Sequence, residues 1–206
     1  MKLSLVLANW LKTIGTQNIF GVTGGSVVHL LHGAEEIGLN VIYNHHEQAA
    51  AFAATADSRI NGKISACMVT TGPGGTNAIT GLASAYLDSI PCIFISGQAR
   101  SDDVKALKQI RQSGSQHLDI VNVVKGLTKA VYQLKDSPSE LDDILKSAEN
   151  DLFQGRPGPV WIDIPLDFQW ASIDPLDQRR EVVKKQRPGL IHSELEKEIA
   201  ECRRPV

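Results

Sequence analysis

Cysteine is scarce in this chain of 206 residues: Cys67, Cys92 and Cys202 are the only three, and no two form a Cys-x-x-Cys pair. That argues against a disulfide framework or a thiolate zinc site and fits reduced thiols in the cytoplasm. No apolar run approaches the length of a bilayer span. The amino-terminal stretch to Gly15 is apolar but is interrupted by Asn9 and Lys12, and no small-residue cleavage pattern follows. It reads as an amphipathic helix with Leu7, Trp10, Leu11 and Ile14 on one face rather than a signal peptide. An excess of either charge is also missing. The formal net charge is −2, so no basic field is present to hold nucleic acid or an anionic membrane. Several motifs are absent as well: the P-loop, G-x-G-x-x-G, the G-x-S-x-G nucleophile elbow and any internal repeat. His29 and His32 lie at i, i+3 without a carboxylate partner, and His45 and His46 are adjacent and point apart, so no metal-ligand set is read.

What is present is an alternation of short β-like runs and helical stretches. Strands are expected at Asn18–Val22, Val41–Tyr43, Ile64–Thr70, Cys92–Ser96, Thr128–Leu134 and Val160–Ile164. Helices are expected over Ser4–Ile14, from Gly24 to Ile37, from Glu47 to Ile60, from the Gly72–Gly75 turn to Asp88, and from Pro138 to Phe153 with Ser137 as N-cap. Residues from Gly97 to Lys125 read as a long loop with one or two short helices. Strands separated by helices imply an α/β fold with an open, mainly parallel, doubly wound sheet and helices on both faces. Ligands bind such sheets beyond the carboxyl ends of the strands. The expected organisation is one domain over residues 1-168, an exposed charged linker over 169-190, and a new amphipathic pattern (Ile191, Leu195, Ile199, Cys202) over 191-206.

Three constellations fall on strand-to-helix loops. Asn44-His45-His46-Glu47 places Glu47 in the first turn of a helix, where the dipole stabilises a carboxylate. Taken alone, it could simply complete a helix start. The helix behind it carries Ala49, Ala50, Ala51, Ala53, Ala54 and Ala56, small on nearly every side, as suits close packing or a subunit interface. Thr70-Thr71-Gly72-Pro73-Gly74-Gly75-Thr76-Asn77 is a glycine-rich turn without phosphate-loop spacing, and tight-turn chemistry alone accounts for it about as well as ligand binding. The same holds for Gly21-Val22-Thr23-Gly24-Gly25-Ser26.

Together these motifs, with Ser89-Ile90-Pro91-Cys92-Ile93-Phe94-Ile95-Ser96-Gly97-Gln98 and Gly155-Arg156-Pro157-Gly158-Pro159-Val160-Trp161-Ile162-Asp163-Ile164-Pro165, stand in an order that resembles acetolactate synthase and its relatives among thiamine-diphosphate enzymes. The resemblance covers about residues 1–168. It implies a pyrimidine-binding domain, with magnesium and the cofactor diphosphate held by a domain carrying a GDG motif that this chain does not contain. It implies that Glu47 contacts N1′ of the aminopyrimidine and favours the tautomer whose N4′ takes the thiazolium C2 proton. It places Val22, Thr23, Gly24, Thr70, Pro73 and Asn77 around the pyrimidine, and Gln116 near a 2-keto acid substrate. It further implies a homodimer through the helix starting at Glu47 and a role in branched-chain amino acid biosynthesis.

Two departures are visible: Val22-Thr23 stands where the family has Tyr-Pro, and Ser115-Gln116-His117 where it has Phe-Gln-Glu. The first leaves backbone contacts intact; the second changes side chains that shape the acceptor pocket. Residues 191-206 resemble the start of the family's middle domain, so a truncated chain, inactive alone, is expected. A stand-alone binding or dimerisation module, a related thiamine-diphosphate decarboxylase or lyase, and a Rossmann-type nucleotide domain are the competing readings.

Overall fold

The computed structural model describes residues 1–106 and 112–174. Most of the expected linker, the pattern from Ile191 and Cys202 lie outside the described residues. The elements run α1 (Leu3–Thr13), β1 (Asn18–Gly21), α2 (Val28–Glu36), β2 (Asn40–Tyr43), α3 (Glu47–Asn61), β3 (Ala66–Val69), α4 (Pro73–Asn77) and α5 (Ile79–Leu87). They continue with β4 (Ile93–Gln98), α6 (Ser101–Ala106), α7 (Ile120–Val124), β5 (Ala130–Gln133), α8 (Leu141–Phe153) and β6 (Val160–Pro165).

The six strands form one sheet in the order β2-β1-β3-β4-β6-β5, with every pairing parallel. Strand side chains alternate between the faces, and two apolar clusters divide accordingly. Ala66, Met68, Ile93, Ile95, Val160 and Ile162 join α1, α2 and α8 on one face. Cys67, Val69, Phe94 and Trp161 join α3, α5 and α7 on the other. Connections that move toward β2 put their helix on the first face, and those that move toward β5 put it on the second. Opposite directions on opposite faces give one crossover hand throughout, as parallel sheets require.

The helices stop where the sequence supplies stops. Gly38 and Gly62 take positive φ just beyond α2 and α3. Ser137 caps the short 3-10 turn that leads into α8 in a capping box with Glu140. Two expected boundaries move. The helix expected from Gly24 begins at Val28, and Gly24 and Gly25 stay in the loop. The expected turn at Gly72–Gly75 is mostly helix: Pro73 opens α4, where its missing N–H costs nothing, and Gly74 and Gly75 lie inside it.

Glycine also sets helix spacing. A β-carbon on Gly81 of α5 would lie 2.5 Å from Ala51 Cβ and 2.9 Å from Phe52 N, so α3 and α5 meet backbone to backbone. At the other end of the fold, Leu3 N donates to Ala171 O (2.9 Å) and Ile173 N to Met1 O (2.9 Å), which ties residues 171–173 to the amino terminus.

Candidate functional site

β1 lies between β2 and β3, and the helices that follow β1 and β3 leave to opposite faces. The carboxyl ends of these two strands are therefore the switch point at which open α/β sheets bind ligands. Glu47 reaches it from α3. Its position follows from the helix start: His46 is the N-cap, and its Nδ1 accepts from Gln48 N at 3.1 Å. The Glu47 side chain is half-buried, and Asn77 Nδ2 donates to its Oε2 at 2.9 Å. Among the described residues, no hydrogen bond reaches Oε1.

The glycine-rich segments make room around this carboxylate. A β-carbon on Gly74 would sit 3.4 Å from Glu47 Oε1 and 2.7 Å from Thr70 Cγ2. A β-carbon on Gly24 would sit 2.5 Å from Thr70 Cβ. Thr70 Oγ1 accepts from Ser26 N at 3.3 Å, which joins the loops after β1 and β3. Glu47, Asn77, Thr70 and Gly24 are thus brought together. Val22 is half-buried and Thr23 exposed on the loop after β1, and Pro73 is exposed at the head of α4. Gln116 is exposed and has a positive φ of 57°, uncommon for a residue with a side chain. Its backbone lies against Gly72, which has a φ of 63°.

A polar layer across β4, β6 and β5 was not singled out from the sequence. On the second face, the apolar positions Phe94 of β4 and Trp161 of β6 continue toward the carboxyl ends as Ser96, Gln98 and Asp163. Asp163 is fully buried. Its Oδ1 accepts from Ser96 Oγ (2.5 Å), and its Oδ2 accepts from Gln133 Nε2 (2.8 Å) and Gln98 Nε2 (3.1 Å). Burial pushes its carboxyl up to about 6 against the pull of these three bonds, with Asp119 adding a smaller push upward. The signal was available: an acid inside the apolar run Val160–Ile164, two residues from Trp161. Cys67 and Cys92 are free and buried, and burial raises both thiols, Cys92 to about 12, so neither offers a thiolate near neutral pH.

Residues 1–123 match the family model described as thiamine pyrophosphate enzyme, N-terminal TPP binding domain. The chain is 39% identical over 175 residues to an acetolactate synthase of Arthrospira platensis, covering 83% of this chain and 29% of that protein. It is 38% identical over 164 residues to the acetolactate synthase isozyme 2 large subunit of Escherichia coli, covering 80% and 29%. To a probable acetolactate synthase large subunit of Methanocaldococcus jannaschii it is 36% identical over 174 residues, covering 84% and 28%. The chain spans less than a third of the length of these relatives.

Proposed function

Because the chain belongs to the family of thiamine pyrophosphate enzyme N-terminal TPP-binding domains, we propose that it supplies the pyrimidine side of a thiamine-diphosphate site in an acetolactate synthase-type transferase. The substrates would be 2-keto acids, with pyruvate decarboxylated and joined to an acceptor. The observation that carries this reading is the Glu47 carboxylate, with Oε2 fixed by Asn77 and Oε1 turned to the space kept by Gly74. A half-buried carboxylate with one oxygen committed and one available suits a ring N–H donor.

When bound, thiamine diphosphate supplies a nucleophilic carbon and an electron sink for decarboxylation. Glu47 would hold the proton shared with N1′ of the aminopyrimidine. Asn77 keeps that carboxylate from turning. Val22, Thr23 and Gly24 would meet the ring through the loop after β1, while Thr70 and Pro73 line the opposite wall. Gln116 would face the substrate. We assign the diphosphate and Mg2+ to a separate domain, so that residues 1–168 act as a unit that is inactive alone.

A homodimer through α3 belongs to the same reading. Phe52 and Ile60 of α3 and Tyr86 and Leu87 of α5 are large exposed apolar residues on the two helices that Gly81 draws together. Sedimentation of the chain at high concentration is expected to give a dimer; a strict monomer counts against that part. The buried free thiols suit the cytoplasm, and a role in branched-chain amino acid biosynthesis belongs to the same proposal.

The test of the catalytic assignment is Glu47→Gln in the complete enzyme with thiamine diphosphate and Mg2+. Pyruvate turnover is expected to fall by about 100-fold or more. Turnover retained within about twofold of the unsubstituted enzyme would remove Glu47 from the role given to it.

A further inference from the structure

Gln98, the last residue of β4, uses its whole side-chain capacity. Its Oε1 accepts from Thr71 Oγ1 (2.6 Å) and from Ala99 N (2.9 Å). Its Nε2 donates to Leu118 O (3.0 Å) and to Asp163 Oδ2 (3.1 Å). Two donors face the oxygen and two acceptors face the nitrogen, so the opposite amide orientation would set like against like. This one side chain joins three segments: β6 through Asp163, the turn after β3 through Thr71, and the stretch 116–118 through Leu118. Thr71 Oγ1 also lies 3.4 Å from Gln116 O, but its single proton goes to Gln98 at 2.6 Å, so the bond that reaches this stretch is the one from Gln98 Nε2 to Leu118 O.

Stability alone does not account for the arrangement. Thr71, Gln98 and Asp163 are all buried, and a buried carboxylate costs several kcal/mol that an apolar layer would avoid. Directional hydrogen bonds give something apolar packing does not, a fixed orientation for the groups at the far end. Those groups need holding, because Gly72 (φ 63°, ψ −120°) and Gln116 (φ 57°) pack together with both residues at positive φ, which costs a residue such as Gln116 about 1 kcal/mol or more.

We propose that Asp163 is a positioning residue which, through Gln98, holds the Gly72 turn at Thr71 and the Gln116 segment at Leu118 O, so that Gly72 and Gln116 keep their packed positive-φ conformations. The role rests on the reading of Gln116 as the residue facing the substrate. No step of the proposed chemistry passes through Asp163. Its partners are Ser96 on β4, Gln98 on β4 and Gln133 on β5, and the charged group facing it is Asp119, the N-cap of α7. Ser96 is itself fixed by Trp161 Nε1, which donates to its Oγ at 2.8 Å. The other titratable group on the tethered segment is His117, whose Nδ1 lies 2.7 Å from Ser113 O.

Thr71→Val tests the link, because it removes one hydroxyl at near-constant volume and leaves Asp163, Ser96 and Gln133 joined. In the 206-residue chain, the 13Cα and 13Cβ shifts of Gln116 report its positive-φ conformation. They are expected to move toward right-handed or extended values in Thr71→Val and in Asp163→Asn, and to stay in place in Thr71→Ser. Unchanged Gln116 shifts in both Thr71→Val and Asp163→Asn would overturn the proposal, as would a Thr71→Ser chain that behaves like Thr71→Val. If Asp163→Asn fails to fold, the Thr71 pair decides. In the complete enzyme, Thr71→Val is expected to lower kcat/KM for pyruvate about tenfold, chiefly through KM, with thiamine-diphosphate affinity within about twofold. A shift response in an enzyme that turns over no 2-keto acid would sink the functional reading while supporting the tether.

Discussion

Gly72 and Gln116 are locked to each other: a β-carbon on Gly72 would fall within the van der Waals envelope of the Gln116 carbonyl oxygen and 3.1 Å from its Cβ. The contact joins the turn after β3 to a segment more than forty residues further on. Gly72→Ala adds both that clash and the strain of an alanine at φ 63°. It is expected to destabilise the fold by about 2 kcal/mol, read as a lower urea midpoint at constant m.

The Asn77–Glu47 hydrogen bond fixes where a carboxylate points rather than whether it is present. Asn77→Ala should therefore leave the fold intact and lower kcat in the complete enzyme by about tenfold or more, with a smaller change in the keto-acid KM. Steady-state kinetics beside a circular-dichroism melt would check it. A kcat equal to that of the unsubstituted enzyme would show that Glu47 needs no such restraint.

Asp163 gives the chain a pH dependence opposite to that of a salt-bridged acid. Its folded carboxyl titrates at about 6, above the ordinary 3.8, so the native state holds the proton more tightly than the unfolded chain. The stability this adds is present at low pH and is lost as pH rises through about 6, by about 3 kcal/mol at most. Asp163→Asn removes the term. The difference in unfolding free energy between the two proteins is expected to shift in favour of Asp163→Asn from pH 4.5 to 7.5, as followed by urea denaturation. A constant difference across that range would mean that Asp163 titrates alike in both states.

Ser137→Ala breaks the capping box in which Glu140 returns hydrogen bonds to the backbone of Ser137 and its neighbours. A loss of about 1 kcal/mol is expected, with Glu47 and its surroundings unaffected. Calorimetric melting of the chain measures the loss.

The α/β alternation was legible because both periods are written plainly. Buried parallel strands appear as the near-continuous runs Ile64–Val69 and Cys92–Ile95, and helices end on Gly38 and Gly62. The gathering of Glu47, Asn77, Thr70 and Gly24 at one end of the sheet was legible from the loops that carry Glu47 and the two glycine runs. The start of α2 was not, because Gly24 serves contact with Thr70, a partner 46 positions away that local propensity does not encode. Helix α4 was hidden for a similar reason: glycines inside it answer to Thr70 and Ile120 rather than to helix preference. The Asp163 layer was missed because its members come from three strands and become neighbours only once the order β4-β6-β5 is known.

The backbone contact between Gly81 and Ala51 makes α3 and α5 a single slab. Glu47 stands at the head of α3, and Asn77 closes α4 just before α5 begins. Their hydrogen bond thus rests on the spacing that Gly81 sets: a side chain there would part the helices and lengthen the reach from acid to amide.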